Sequence, residues 1–130
     1  MGPGLEHAAA VTPEALARRS EPAPAIRLIE TLVASAFRVD PAALRSPTRG
    51  NATVAFARQV AMYLAYTRLG LSYEVAGLVF GRDRTTVAHA CRLVEERRDD
   101  PRLDSALDYP ERAVALFPGT LADVGRARRA

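Results

Sequence analysis

The chain has 130 residues, enough for one compact domain with tails and too few for two sizeable cores. With 48% apolar, 25% charged and 6% aromatic residues and no Trp, it is globular in composition and predicts a core of Ala, Val and Leu. Its 18 basic residues are all Arg, against 15 acidic ones, so a phosphate-binding loop that needs Lys and Schiff-base chemistry on Lys are excluded.

Residues 1–24 hold Pro3, Pro13, Pro22 and Pro24 with few large apolar side chains and predict a flexible leader. From Ala25 onward Ile26, Ile29, Val33, Ala36 and Phe37 recur at helical spacing, which predicts a first helix ending near Arg38. Asp40 before Pro41 reads as an N-cap and first turn of a short helix through Leu44, followed by a loop over residues 46–51. A second helix is expected over about 53–68, with Ala57, Val60, Ala61, Leu64 and Ala65 inward, Arg58, Gln59 and Tyr66 on its flanks, and Gly70 as its stop.

Ser72 caps a short third helix whose Val75, Ala76, Val79 and Phe80 face the core; Gly81 and Arg82 make a tight turn, and Asp83 caps a fourth helix. In that helix Val87, Ala90, Cys91 and Val94 share one side, which leaves Thr85, Ala88, His89 and Arg92 on the other, and Pro101 closes the segment. Leu103 to Tyr109 and Ala113 to Phe117 are expected as short helices, followed by a basic tail with Arg126, Arg128 and Arg129. The division expected is a leader at 1–24, a domain at 25–100, and a helical extension with a tail at 101–130. No strand pattern appears, and the fold class is all-α.

A short helix, a tight turn with Gly and a longer helix with a polar outer stripe form a helix-turn-helix, a unit that inserts its second helix into the major groove of DNA and that also serves as a plain helical hairpin. Charge favours nucleic acid. Residues 45–92 hold seven Arg against Glu74 and Asp83, whereas residues 93–112 hold four Arg against seven acids. An Arg-rich composition also follows from a GC-rich coding sequence. Asp83 and Thr86 suit any helix start, but Arg82 and Arg84 oppose the helix dipole unless an anion such as phosphate is expected there.

Catalytic chemistry finds no support. His89 and Cys91 lie about 200° apart on one helix and cannot form a thiol–imidazole dyad. Cys91 reads as a small core residue, and His89 as either a solvated or a DNA-contacting side chain. One Cys and two His are too few for a closed zinc site or an intrachain disulfide. No cofactor, metal or nucleotide is expected, and no apolar run long enough to span a membrane occurs, so the chain is expected in the cytoplasm, beside the nucleoid.

Residues 80–94, FGRDRTTVAHACRLV, together with ARQVAMYLA at 57–65 and SYEVAGLVFG at 72–81, resemble the C-terminal DNA-binding domain of the bacterial replication initiator DnaA, over roughly residues 25–98. The resemblance implies a helix-turn-helix of the DnaA and Trp-repressor kind that recognises initiator boxes in duplex DNA. It implies base contacts from Asp83, Arg84 and Thr85, phosphate contacts from Arg58 and Gln59, and places for Thr86 and His89 on the same surface. Arg49, Arg82 and Arg92 join this candidate set on charge and position. The chain departs from the family pattern at Arg84, where His is usual; at Gly50, where an Arg normally reaches the minor groove and Arg49 lies beside it; and at the turn, whose usual two Gly are here Phe80–Gly81 or one residue shorter. The nucleotide-binding motor of the initiator has no counterpart, so the expectation is a separate DNA-binding protein that regulates replication initiation, or transcription near such boxes, without ATPase activity. The rival reading is an adaptor that contacts the initiator or its inactivating machinery and binds little DNA.

Overall fold

The computed structural model describes residues 24–116. The expected leader up to residue 23 and the basic tail, with Phe117, lie outside the described residues. Within them the chain forms helix α1 (Pro24–Phe37), a 3-10 turn (Pro41–Arg45), and helices α2 (Ala52–Leu69), α3 (Tyr73–Phe80), α4 (Arg84–Arg97) and α5 (Pro101–Leu116). No strand occurs among the described residues.

Each boundary has a local cause. Arg38 takes a left-handed φ of 59°, which ends α1. Asp40 accepts from the Ala42 amide at 3.0 Å and starts the 3-10 turn. Asn51, which the sequence placed only in the loop, caps α2 by accepting from the Val54 amide at 2.8 Å. Gly70, at φ 71°, ends α2 in a conformation that would strain any residue with a Cβ. Ser72 caps α3 through the Val75 amide at 3.1 Å.

Helix α2 runs through the centre. Its segment from Val60 to Ala65 is buried all round, and it packs against every other helix and the 3-10 turn. The first helix lays Ala25, Ile26, Ile29, Val33 and Ala34 on it, while Ala36, expected inward, is exposed. Phe80 at the end of α3 is fully buried and is among the largest core side chains; truncating such a residue to Ala typically costs about 3–5 kcal/mol. The core thus holds the helix-turn-helix, α3 and α4, against the shaft of α2.

Two expectations about the C-terminal part need correction. The two short helices on either side of Pro110 are one continuous helix of 16 residues. Proline removes one backbone hydrogen bond, but Leu107, Pro110, Glu111 and Val114 form one buried stripe that holds both halves down. Leu107 and Val114 join the same core, so the folded body runs past the boundary expected at residue 100.

Polar side chains lock this end. Arg98 binds Glu111 through two parallel bonds of 2.7 and 3.1 Å, and Arg68 reaches the same carboxylate at 3.2 Å. Tyr63 donates to Glu95 at 2.6 Å and accepts from Arg98 at 3.1 Å, so α2, α4 and α5 meet in one network. Burial alone would raise the Glu111 pKa, but the bonds and charges of Arg98 and Arg68 outweigh it and hold the carboxyl below its usual range.

Candidate nucleic-acid interface

The turn between α3 and α4 is built by two glycines. Gly81 takes φ 69° as the C-cap of α3, and its amide donates to the Gly77 carbonyl. Gly77 is buried, and a Cβ there would collide with the Arg82 carbonyl, so the backbone of the turn presses directly on α3. The Arg82 amide closes the turn onto the Gly77 carbonyl at 2.8 Å. Phe80, directly before Gly81, serves as core.

Asp83 caps α4. One carboxylate oxygen accepts from the Thr86 amide at 2.9 Å and from the Thr85 hydroxyl at 2.8 Å. The Thr86 amide, followed by the Thr85 hydroxyl, holds the Asp83 pKa below its usual value, so the cap is anionic at neutral pH. Val87, Ala90, Cys91 and Val94 are buried against the core. Arg84, Thr85, Thr86, His89 and Arg92 are all exposed, and Thr85, His89 and Arg92 fall at i, i+4 and i+7 on one stripe. Cys91 is a buried thiol, as its place on the apolar side requires.

Beside the turn lies the loop from 46 to 51. Thr48 donates its amide to the Ser46 hydroxyl at 3.3 Å, Gly50 takes φ 76°, and Arg49 is exposed at the tip. Gly50 is committed to its residue type: φ is left-handed there, and a Cβ would approach the Val54 side chain at 3.0 Å. An Arg at this position would therefore be strained, and Arg49 is the cation the loop presents.

Arg58 corrects the placement on a flank of α2. It is only 3% exposed. Its Nε donates to the Leu44 carbonyl at 2.8 Å, its Nη2 to Ala43 at 2.9 Å and Thr48 at 3.3 Å, and its Nη1 to Arg49 at 3.2 Å. Four bonds to carbonyls occupy most of the five N–H donors of a guanidinium. The side chain thus organises the loop from within. The spacing held a signal for this, because 58, 61 and 65 share one arc of α2, and 61 and 65 are core alanines.

Arg82 is likewise turned inward along the backbone. Its Nη1 donates to Phe80 and Gly81 at 3.1 and 3.2 Å, and its Nη2 to Ser46 and Thr48 at 3.2 and 3.3 Å. Gln59 is half-buried on α2.

Ten of the described arginines fall into two groups; of the others, Arg38 ends α1 and Arg97 lies over the Phe56 ring at 5.1 Å. Arg45, Arg68, Arg98, Arg102 and Arg112 pair with Glu30, Glu111, Asp104, Asp100 and Asp108. Among the described residues, Arg49, Arg58, Arg82, Arg84 and Arg92 have no carboxylate in ion-pair contact. Burial, then the neighbouring charges of Arg82 and Arg49, lower the Arg58 pKa. Positive charge is therefore concentrated around the loop and the start of α4, where Asp83 is one carboxylate beside five arginines and is held by its own cap bonds. The described residues contain no group of three or more His, Cys, Asp or Glu side chains that could hold a metal, and no described helix is long and apolar enough to cross a membrane.

A family model described as "Bacterial dnaA protein helix-turn-helix" matches residues 26–94, just over half of the chain. The chromosomal replication initiator protein DnaA of Sphingopyxis alaskensis is 41% identical over 99 residues, covering 75% of this chain and 22% of that protein. The corresponding protein of Psychromonas ingrahamii is 44% identical over 71 residues, covering 54% and 15%. DnaA 1 of Protochlamydia amoebophila is 40% identical over 65 residues, covering 50% and 14%. The chain spans less than a quarter of the length of these relatives.

Proposed function

The chain belongs to the bacterial DnaA helix-turn-helix family, and on that premise we propose that it binds duplex DNA at initiator-box-like sites and regulates replication initiation, or transcription near such sites, in the bacterial cytoplasm. The observation that carries this reading is the set of arginines without carboxylate partners around the loop and the start of α4, next to an exposed stripe of residues able to read base edges.

The roles follow from side-chain chemistry. Arg84, exposed in the first turn of α4, donates to guanine, and the Thr85 methyl packs on a thymine methyl. Asp83 keeps lone pairs for a cytosine or adenine amino group beyond those its cap uses. Thr86, His89, Arg92 and Gln59 serve the phosphates on either side, and Arg49 enters the adjacent minor groove. Arg58 and Arg82 add positive potential while their donors stay on loop carbonyls.

Selection from randomised duplexes, followed by anisotropy titrations against salt, tests the proposal. A defined motif is expected, with a log–log salt slope of roughly −3 to −5 for a few displaced counterions. Arg84→His is expected to change the preference at one base position and leave the rest of the motif intact. Absence of any motif, with weak and salt-insensitive binding, overturns the reading and favours the adaptor role.

A further inference from the structure

We propose that Arg82 is a positioning residue, which locks the loop carrying Arg49 to the first turn of the recognition helix α4 so that two parts of a DNA site are read in fixed register. The inference rests on the DNA-binding reading above and adds a device to it.

The geometry is a bridge. One guanidinium nitrogen of Arg82 holds the carbonyls of Phe80 and Gly81, in the turn that launches α4. The other holds the carbonyls of Ser46 and Thr48, 36 and 34 residues earlier in the sequence. The loop is independently fastened to α2 by Arg58, through Ala43, Leu44, Thr48 and Arg49. Removing Arg82 therefore leaves the loop attached to the body and frees only its tie to the recognition helix. The backbone of Arg82 is itself fixed, because its amide bonds to the Gly77 carbonyl and its own carbonyl occupies the space that a Cβ at Gly77 would need. Arg49, at the loop tip, and Arg84, in the first turn of α4, stand on the two sides of this bridge.

The tie to Ser46 and Thr48 is made by Nη2, one bond farther from the backbone than a lysine ammonium, while Nη1 holds the fork in place on Phe80 and Gly81; a lysine has neither the reach nor the second nitrogen. Arg82→Lys thus keeps the charge and loses the bridge, which separates positioning from phosphate contact.

The test compares wild type, Arg82→Lys, Arg82→Ala, Arg49→Ala and the Arg49→Ala/Arg82→Lys double variant. The probes are three duplexes: the selected site, the site with its A·T flank changed to G·C, and the site with the base pair read by Arg84 changed. Arg82→Lys is expected to lose most of the flank discrimination, a change of about five- to tenfold if one groove contact is lost. Discrimination at the base pair read by Arg84, the salt slope and the fraction folded are expected to stay as in wild type. The double variant is expected to discriminate the flank no worse than Arg49→Ala.

If Arg82 is instead a phosphate contact, Arg82→Lys keeps full flank discrimination and Arg82→Ala weakens all duplexes alike with a salt slope lower by about one; that result overturns the proposal. Equal loss at both positions, tracking a lowered melting temperature, also overturns it, since that is the mark of a general loss of folding. Amide hydrogen exchange in the free protein reads the tie without DNA: Arg82→Lys must accelerate exchange at residues 48–51 relative to the α2 core. Should wild type discriminate no duplex, the DNA reading falls, and unchanged exchange at 48–51 then overturns the bridge as well.

Discussion

Arg58 and Arg82 donate to the same carbonyl oxygen, that of Thr48, each from its Nη2 at 3.3 Å. One side chain comes from the central helix and the other from the turn before the recognition helix, and no carboxylate contacts either among the described residues. Two like charges thus share one acceptor. Their repulsion opposes folding and is relieved by any anion that lies across them.

Salt is therefore expected to act in opposite directions on stability and on binding. Raising ionic strength from about 0.05 to 0.3 M shortens the Debye length and screens the repulsion among the exposed arginines, so the thermal midpoint of the free protein should rise. Over the same range DNA affinity should fall steeply. Thermal melts and anisotropy titrations in matched buffers check both; a midpoint that falls with salt would show that the acidic network around Glu111 outweighs the arginine cluster.

Arg58→Ala is expected to cost about 2–4 kcal/mol of stability, because the carbonyls of Ala43, Leu44, Thr48 and Arg49 lose a shared donor, and those that stay buried are left unsatisfied. Arg58→Lys should recover little, since one ammonium cannot reach carbonyls spread around the edge of the guanidinium from Nε to Nη1. DNA affinity should fall and flank discrimination should fall with it, because the loop that carries Arg49 loosens. Urea denaturation measures the first effect; a loss under about 0.5 kcal/mol would place the residue among ordinary surface arginines.

Gly77→Ala and Gly81→Ala separate lack of space from backbone strain. At Gly77 the new methyl meets the Arg82 carbonyl and the turn must move, at a cost of about 2–4 kcal/mol. At Gly81 a Cβ has open space but φ is 69°, so only conformational strain of about 1–2 kcal/mol applies. The Gly77 variant should also lose sequence preference, because the start of α4 shifts with the turn. Comparable stability of the two variants in denaturant would contradict this ranking.

Acid should loosen α5. The depressed Glu111 pKa means that its contribution is present above its ordinary value of 4.5 and is lost as pH falls through the lower folded value. Glu111→Gln should remove that acid-side loss at the expense of stability at neutral pH. Glu30, 5% exposed, has the opposite sign: burial raises its pKa despite Arg45 and Arg27, so its contribution is present below 4.5 and fades as pH rises through the folded value. Glu30→Gln should flatten stability on that side. Denaturation midpoints across pH for wild type and both variants supply the test, and parallel curves for all three would contradict both assignments.

Much of this protein was legible from local chemistry. Asp40, Ser72 and Asp83 mark helix starts because a short oxygen-bearing side chain satisfies free first-turn amides, and Gly70 and Gly81 mark ends because only glycine takes a left-handed φ freely. The period of Val87, Ala90, Cys91 and Val94 gave the inward side of the recognition helix, and with it the exposed positions of Thr85, His89 and Arg92. These are short-range properties, set by residues within four positions of one another.

Tertiary structure decided what the arginines do. The arc that Arg58 shares with Ala61 and Ala65 marks it as inward, but nothing local says that it spends its donors on a loop nine to 15 residues away while Arg92 stays exposed without a carboxylate partner. Arg82 finds its partners 34 and 36 positions back along the chain, Arg98 finds Glu111 across a helix junction, and Glu30 meets Arg45 because α1 packs against the 3-10 turn. Pro110 read as a break because its missing amide is local, whereas the buried stripe that carries α5 through it depends on the body beneath. A charged side chain can reach several ångströms in many directions, and its partner is whichever acceptor the folded chain brings within range; hydrophobic spacing fixes the helices, but only their assembly fixes which cations remain to meet an anion.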